Sequence, residues 1–167
     1  MTKPIEREEA RPPEEGGLEE RLHRILEYQR RFLEEGYLEE LRPIQYRQTR
    51  YGEICSVGAI YSEEGADFER LKGKMRLLDH LVVLDEHFAL LVFEHTDCDQ
   101  GMIAMKRLSR EAIRHEGQPL YRALLECRPG EEGEKLIVRQ LCTLLQFSLR
   151  CGLGGEVLNR YDLERIY

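Results

Sequence analysis

The stretch RLLDHLVVLDEHFALLVFEHTD, Arg76 to Asp97, admits few folds. Two apolar runs, LVVL and FALLVF, flank Asp85-Glu86-His87. Runs this short, β-branched or aromatic and bounded by polar residues, read as strands. So small a gap between them predicts an antiparallel hairpin with a charged tip. An R-x-x-D element, Arg76 and Asp79, leads into it.

The rest of the chain supplies elements around that hairpin. Residues 1–17, with three prolines, two adjacent glycines and many charges, bury too little apolar surface to offset ordering entropy, and predict a disordered leader. Residues 18–167 are expected to form a single domain. Leu18, Leu22, Ile25, Leu26, Phe32 and Leu33 recur at helical spacing up to Gly36. A second helical stretch is predicted over Tyr37–Arg50, with Pro43 as a fresh start or kink. Strands are predicted over Ile54–Tyr61, Leu120–Cys127 and Glu156–Tyr161, and helices over Gly65–Leu77, Asp99–His115 and Gly133–Cys151. Thr96 or Asp97 is the candidate cap of the helix after the hairpin. The order α-α-β-α-β-β-α-β-α-β contains the split β-α-β-β-α-β unit. The fold class is therefore α/β (α+β), a ferredoxin-like or palm-type sheet with flanking helices.

Composition narrows the function classes. A net charge of −7 argues against binding a nucleic-acid polymer, which needs cations to neutralise phosphates. No apolar run approaches the ~20 residues of a membrane span, and the N-terminus has no apolar signal segment, so the expected location is the cytoplasm. Five cysteines (Cys55, Cys98, Cys127, Cys142 and Cys151) form no C-x-x-C and are expected to be reduced and structural. No cysteine–histidine pair with an orienting third group suggests nucleophilic catalysis.

Several segments, taken in order, resemble the GGDEF (diguanylate cyclase) family over roughly residues 24–165. Tyr28-Gln29-Arg30-Arg31-Phe32 resembles the family's opening helix, and Arg47-Gln48-Thr49-Arg50-Tyr51-Gly52 the run before its first strand. Arg76-Leu77-Leu78-Asp79 resembles its R-x-x-D inhibitory site, Phe88-Ala89-Leu90-Leu91 its second hairpin strand, His95-Thr96-Asp97 the segment after it, and Gly155–Tyr161 its closing strand. The resemblance implies a palm-like fold, a bacterial signalling context and cyclic di-GMP as the associated nucleotide.

The departures from the family pattern are as informative. Where the family has Gly-Gly-Asp/Glu-Glu-Phe, this chain has Leu84-Asp85-Glu86-His87-Phe88, without glycine. The glycine pair admits a phosphate close to the backbone, and Leu84 and Asp85 obstruct that approach. The first strand ends Gly58-Ala59-Ile60-Tyr61, with no carboxylate at the family's metal position; Glu63 and Glu64 fall just beyond it. The family's F-K-x-x-N-D and G-H-x-x-G-D segment is absent. Phosphoryl transfer rests on metal positioning and charge neutralisation. The expectation is thus a degenerate, catalytically inactive domain, without catalytic residues, metal or cofactor, acting as a scaffold or regulator through contact with another protein.

Candidate sites remain with their alternatives. Arg76 and Asp79 are candidate contacts for cyclic di-GMP, since the guanidinium fork suits phosphate; the alternative is an ordinary surface pair. Leu84, Asp85, Glu86, His87 and Phe88 form either a partner surface, a relic metal or nucleotide site, or a tip kept charged for solubility. His95, Asp97, Cys98 and Asp99 offer metal-ligand atoms but no second close pair, and a helix cap is the simpler reading. The first helix either joins a homodimer as a short coiled coil or folds back on its own domain. Met102 and Met105 are read as core.

Overall fold

A computed structural model describes residues 17–43, 52–127 and 133–166. The leader expected over 1–17, apart from Gly17, lies outside the described residues, as do the second half of the Tyr37–Arg50 stretch and all of the Arg47–Gly52 motif but Gly52. The elements run α1 (Leu18–Glu34), a 3-10 turn (Tyr37–Glu40), β1 (Cys55–Tyr61), α2 (Phe68–Lys72), β2 (Asp79–Asp85), β3 (Phe88–Glu94), α3 (Cys98–Ala112), β4 (Tyr121–Cys127), α4 (Glu134–Arg150), β5 (Val157–Leu158) and α5 (Arg160–Ile166).

The five strands form one sheet in the order β2-β3-β1-β4-β5, antiparallel except for the short parallel pairing of β5 with β4. The first four strands have the split β-α-β-β-α-β topology. Side chains on a strand alternate between faces, and here both faces are covered. Val57, Ala59, Tyr61, Phe88, Leu90, Val92, Ala123 and Leu125 pack with α1 and α4. Ile60, Ala89, Leu91, Phe93 and Leu124 pack with α2 and α3. Every residue of both β1 and β3 is buried, so neither strand has a solvent face.

Helix α3 lies close on the sheet because Gly101 faces Ser56 and Leu124. A Cβ at Gly101 would sit 2.8 Å from Leu124 Cδ2 and 3.1 Å from Ser56 Cβ. Asp97 caps this helix, its carboxylate accepting from the Gln100 N–H at 2.9 Å. Met105 is fully buried and Met102 packs beside it, as core residues.

Three elements differ from the sequence expectation. The helix predicted over 65–77 is confined to Phe68–Lys72, because Gly65 at φ +94° stands outside it and Asp67 caps it by accepting from Arg70 N–H at 3.0 Å. The last strand is two residues long and gives way to α5. That switch is made by Asn159, whose side chain accepts from Tyr161 N–H while Asp162 accepts from Asn159 N–H, a reciprocal cap. Finally, α1 folds back: Ile25 and Phe32, which would face a partner in a coiled coil, are fully buried in the core shared with α4.

Candidate functional site

The hairpin tip is shorter than predicted. Asp85 still pairs with Phe88, so the turn is Glu86-His87 alone, and Leu84 is the irregular residue between the paired Val83 and Asp85. The Leu84 side chain packs against the core, and Phe88 is wholly buried. Phe88 therefore belongs to the interior and is corrected out of any partner surface; Asp85, Glu86 and His87 remain accessible.

The tip is strapped to the loop after β1. Ser62 N–H donates to the His87 carbonyl at 2.9 Å, and Ala66 N–H to the Glu86 carbonyl at 2.8 Å. The His87 ring donates through Nδ1 to the Ser62 carbonyl at 2.8 Å, and its backbone N–H donates to Asp85 Oδ1 at 2.7 Å. Gly65 is favoured in this loop by its φ of +94°, which side chains rarely adopt. Buried Gln118 ties the same loop to the start of β4, donating to Ser62 Oγ at 3.0 Å and to the Gly65 carbonyl at 2.7 Å.

Each acid at this end of the sheet has a partner. Helix α1 supplies most of them. Tyr28 O–H donates to Asp85 Oδ2 at 2.7 Å, and its ring stacks on Phe88 with centroids 5.1 Å apart. Arg31 stands 3.4 Å from the same carboxylate and lies over the Tyr28 ring. Glu63, with 6% of its side chain exposed, is held by Arg21 through contacts of 2.7–3.0 Å, with Arg24 at 3.7 Å. Arg114 reaches Glu86 at 3.2 Å, and His115 bonds Glu64 at 2.5 Å, which raises the imidazole pKa. Burial, and then the Asp85 hydrogen bond, push the Tyr28 phenol well above its ordinary range. Burial, with nearby Glu63, pushes Tyr61 up to about 12. A divalent ion at this end would have to displace arginines from the oxygens it needs.

The R-x-x-D pair lies at the other end of β2. Asp79, its side chain fully enclosed, accepts from Arg76 N–H at 3.0 Å and from the Arg76 guanidinium at 2.9 Å. The Arg76 side chain, 56% exposed, also donates to Thr96 Oγ1 at 3.1 Å, and Asp79 raises its pKa. Beside it is an open cavity of about 370 Å³ lined by Arg76, His95, Thr96, Gln100, Ile103 and Arg107. The pair is therefore preassembled, with the cation turned partly to solvent.

His95 is placed differently from the sequence reading. It sits at φ +54°, and its ring approaches Glu53 and Glu94; donor atoms of these three lie within 4.8 Å of one another. Cys98 N–H instead bonds the Glu126 carboxylate, and burial raises the Cys98 thiol pKa. Glu53 is 42 positions before His95, so only the antiparallel return of β3 alongside β1 brings it near.

No protein-family model matches the chain, and no curated protein sequence matches it. Solved structures do. One is the diguanylate cyclase SiaD from Pseudomonas aeruginosa, in complex with its activator SiaC: TM-score 0.57, 14% identity, over 74% of this chain and 56% of that one. Another is the GGDEF domain of DgcB from Caulobacter crescentus in complex with c-di-GMP: TM-score 0.52, 12% identity, over 75% and 88%. A third is the FimX GGDEF domain from Pseudomonas aeruginosa: TM-score 0.52, 11% identity, over 74% and 90%. This chain thus spans little more than half of the SiaD chain. At such identities the likeness is one of fold, and the fold is GGDEF-like. Among the described residues no helix is long and apolar enough to cross a membrane.

Proposed function

We propose that this chain is a non-catalytic GGDEF-like domain that regulates or scaffolds by binding another protein. The observation that carries this reading is the closure of the hairpin end by α1. Tyr28 and Arg21 occupy the carboxylates of Asp85 and Glu63, and a leucine side chain stands where the family has glycine. Catalysis of phosphoryl transfer needs preorganised metal and charge at that place. The free edge of the sheet supports a protein partner. Among the described residues β2 has no strand on its outer side. It carries exposed Val83, and exposed Leu77 and Leu78 lie in the turn just before it, Leu77 at 97% exposure. An unpaired strand edge with apolar side chains is a template for strand addition or packing. SiaD, seen with its activator, is a protein of this fold engaged by another protein.

Incubation with GTP and magnesium or manganese tests the inactivity; no cyclic dinucleotide is expected, and its accumulation would overturn the reading. For the partner surface, co-purification from the source cell with wild type and with a Val83→Glu, Glu86→Lys chain is the measurement. The specific partner should be lost from the variant; its retention would move the interface elsewhere.

A second reading is favoured by the preassembled Arg76–Asp79 pair and its cavity, which also offers Arg107. Here the chain is a cyclic di-GMP receptor without catalysis. Ligand that binds only the folded state must raise its stability. Cyclic di-GMP should then raise the melting temperature of wild type but not of Arg76→Ala. No rise at concentrations far above micromolar would end this reading.

A further inference from the structure

Arg122 stands apart from the other arginines of this molecule. It lies in β4 opposite Ile60 of β1 and Val157 of β5, on the sheet face covered by α2 and α3. It is only 9% exposed, and its enclosed Nε has no hydrogen-bond partner among the described residues. Arg21, Arg30, Arg31, Arg70, Arg76 and Arg114 each pair with a carboxylate. Arg122 instead lines an open cavity of about 560 Å³ together with Lys106 and Arg110 of α3, and no acidic residue lines it. Among the described residues three cations thus converge there without a counter-charge, in a chain whose net charge is −7.

A guanidinium cannot escape burial by losing its proton at ordinary pH, as a lysine can. An unpaired buried charge opposes folding, and Arg110 next to it adds repulsion; burial and Arg110 both lower the Arg122 pKa. What relieves this arrangement is an anion from outside. The opposite wall suits one. Gly152, Gly154 and Gly155 bring bare backbone to the cavity, and Gly154 approaches Pro119 so closely that a Cβ would lie 2.7 Å from it. Backbone without side chains lets an oxyanion come near. The volume falls within the roughly 300–1,000 Å³ of small-molecule sites and exceeds what orthophosphate fills. Leu120 and Ile113 add apolar lining for an organic part.

We infer that the cavity between α3, the start of β4 and the 152–155 turn binds a small molecule carrying a phosphomonoester or diphosphate group, with Arg122 as its buried anchor and Arg110 and Lys106 as the outer clamp. The planar fork of Arg122 takes two phosphate oxygens side by side. The site lies on the opposite flank of the sheet from β2 and its R-x-x-D pair, and stands whether or not the chain binds cyclic di-GMP there.

The test is titration of the full chain, at constant ionic strength in chloride, with inorganic phosphate, pyrophosphate and GTP, and with guanosine as the uncharged control. Calorimetry and thermal unfolding are the readouts. Pyrophosphate and GTP are expected to bind and to raise the melting temperature, and guanosine to do neither. Binding of inorganic phosphate as tight as that of GTP would show that the site takes the free ion and would overturn the organic-ligand assignment. Arg122→Met is expected to weaken pyrophosphate by about tenfold or more while raising the melting temperature of the free chain, since the buried charge is gone. If that variant does not fold, Lys106→Gln and Arg110→Gln, both at exposed positions, serve instead, each weakening pyrophosphate severalfold. No binding by any phosphate probe at millimolar concentration, or variants that bind as well as wild type, would overturn the inference.

Discussion

Tyr28 of α1 and Asp85 of β2, 57 positions apart, are joined by a 2.7 Å hydrogen bond across the mouth of the hairpin. Asp85 accepts a second, from the His87 N–H, so the one carboxylate closes both the turn and the helix–hairpin contact. Tyr28→Phe keeps the stacked ring and removes only the hydroxyl; a cost of about 1 kcal/mol follows for one such bond at a half-buried site. Asp85→Ala loses both bonds and should cost about 2 kcal/mol. Urea unfolding would show the midpoints falling in that order at unchanged m. A larger loss in Tyr28→Phe than in Asp85→Ala would contradict the geometry.

Asp79 and Arg76 should behave unequally, although the motif treats them as a pair. Asp79 is fully enclosed and accepts from the Arg76 backbone as well as its guanidinium. Asp79→Ala removes an enclosed carboxylate together with its backbone and guanidinium bonds and should cost about 1–2 kcal/mol. Arg76→Ala removes a guanidinium that is more than half exposed, and the backbone bond survives; a cost under about 1 kcal/mol is expected. Arg76→Ala therefore remains folded enough to read ligand binding. Equal losses in the two variants would argue against the asymmetry.

How much of this was legible from the residues depends on range. The residue pattern predicts β1 over 54–61 and the structure has it at Cys55–Tyr61; it predicts α4 over 133–151, found at Glu134–Arg150. Both are long apolar runs buried on the sheet or against it, where periodicity and burial agree. The R-x-x-D pair was legible as well, because its partners are three residues apart. Helix α5 was not, although the local spacing of Asn159 and Asp162 encodes its cap. The closures of the hairpin end were hidden for a different reason. Arg21 meets Glu63 across 42 positions, and Arg110, Arg122 and the 152–155 turn meet only once the sheet forms. Nothing in local spacing encodes such pairs, and an isolated arginine in a strand reads as surface charge until its burial is known.

Tyr28 and Tyr61 set an alkaline limit on stability. Both phenols are raised in the folded chain, Tyr61 to about 12 and Tyr28 further, whereas an unfolded tyrosine ionises near 10. A raised folded pKa means the contribution is fully present below about pH 10. It is lost as the pH climbs towards the folded values, because the unfolded state then releases protons that the folded state keeps. Stability should therefore decline above pH 10. Tyr28→Phe should flatten that decline, with phenolate absorbance following the unfolding transition. Ionisation of every tyrosine near pH 10 in a chain that stays folded would refute this.

The Arg21–Glu63 pair is the other clasp between α1 and the loop after β1, and its two members should not be interchangeable. Glu63 is nearly enclosed, while Arg21 retains more exposure. Arg21→Met strips the bidentate donors from a carboxylate that little water can reach, leaving Arg24 at 3.7 Å; a loss of about 2–3 kcal/mol is expected. Glu63→Met leaves an arginine that can turn to solvent and should lose about 1 kcal/mol. In the double variant two apolar side chains of similar length meet each other, and such replacements of a buried ion pair are often close to neutral. The double-mutant cycle should therefore show a coupling of about 3 kcal/mol. Simple additivity would mean that the clasp contributes nothing beyond its separate side chains, and that α1 is held on the hairpin by Ile25, Phe32 and the Tyr28 ring alone.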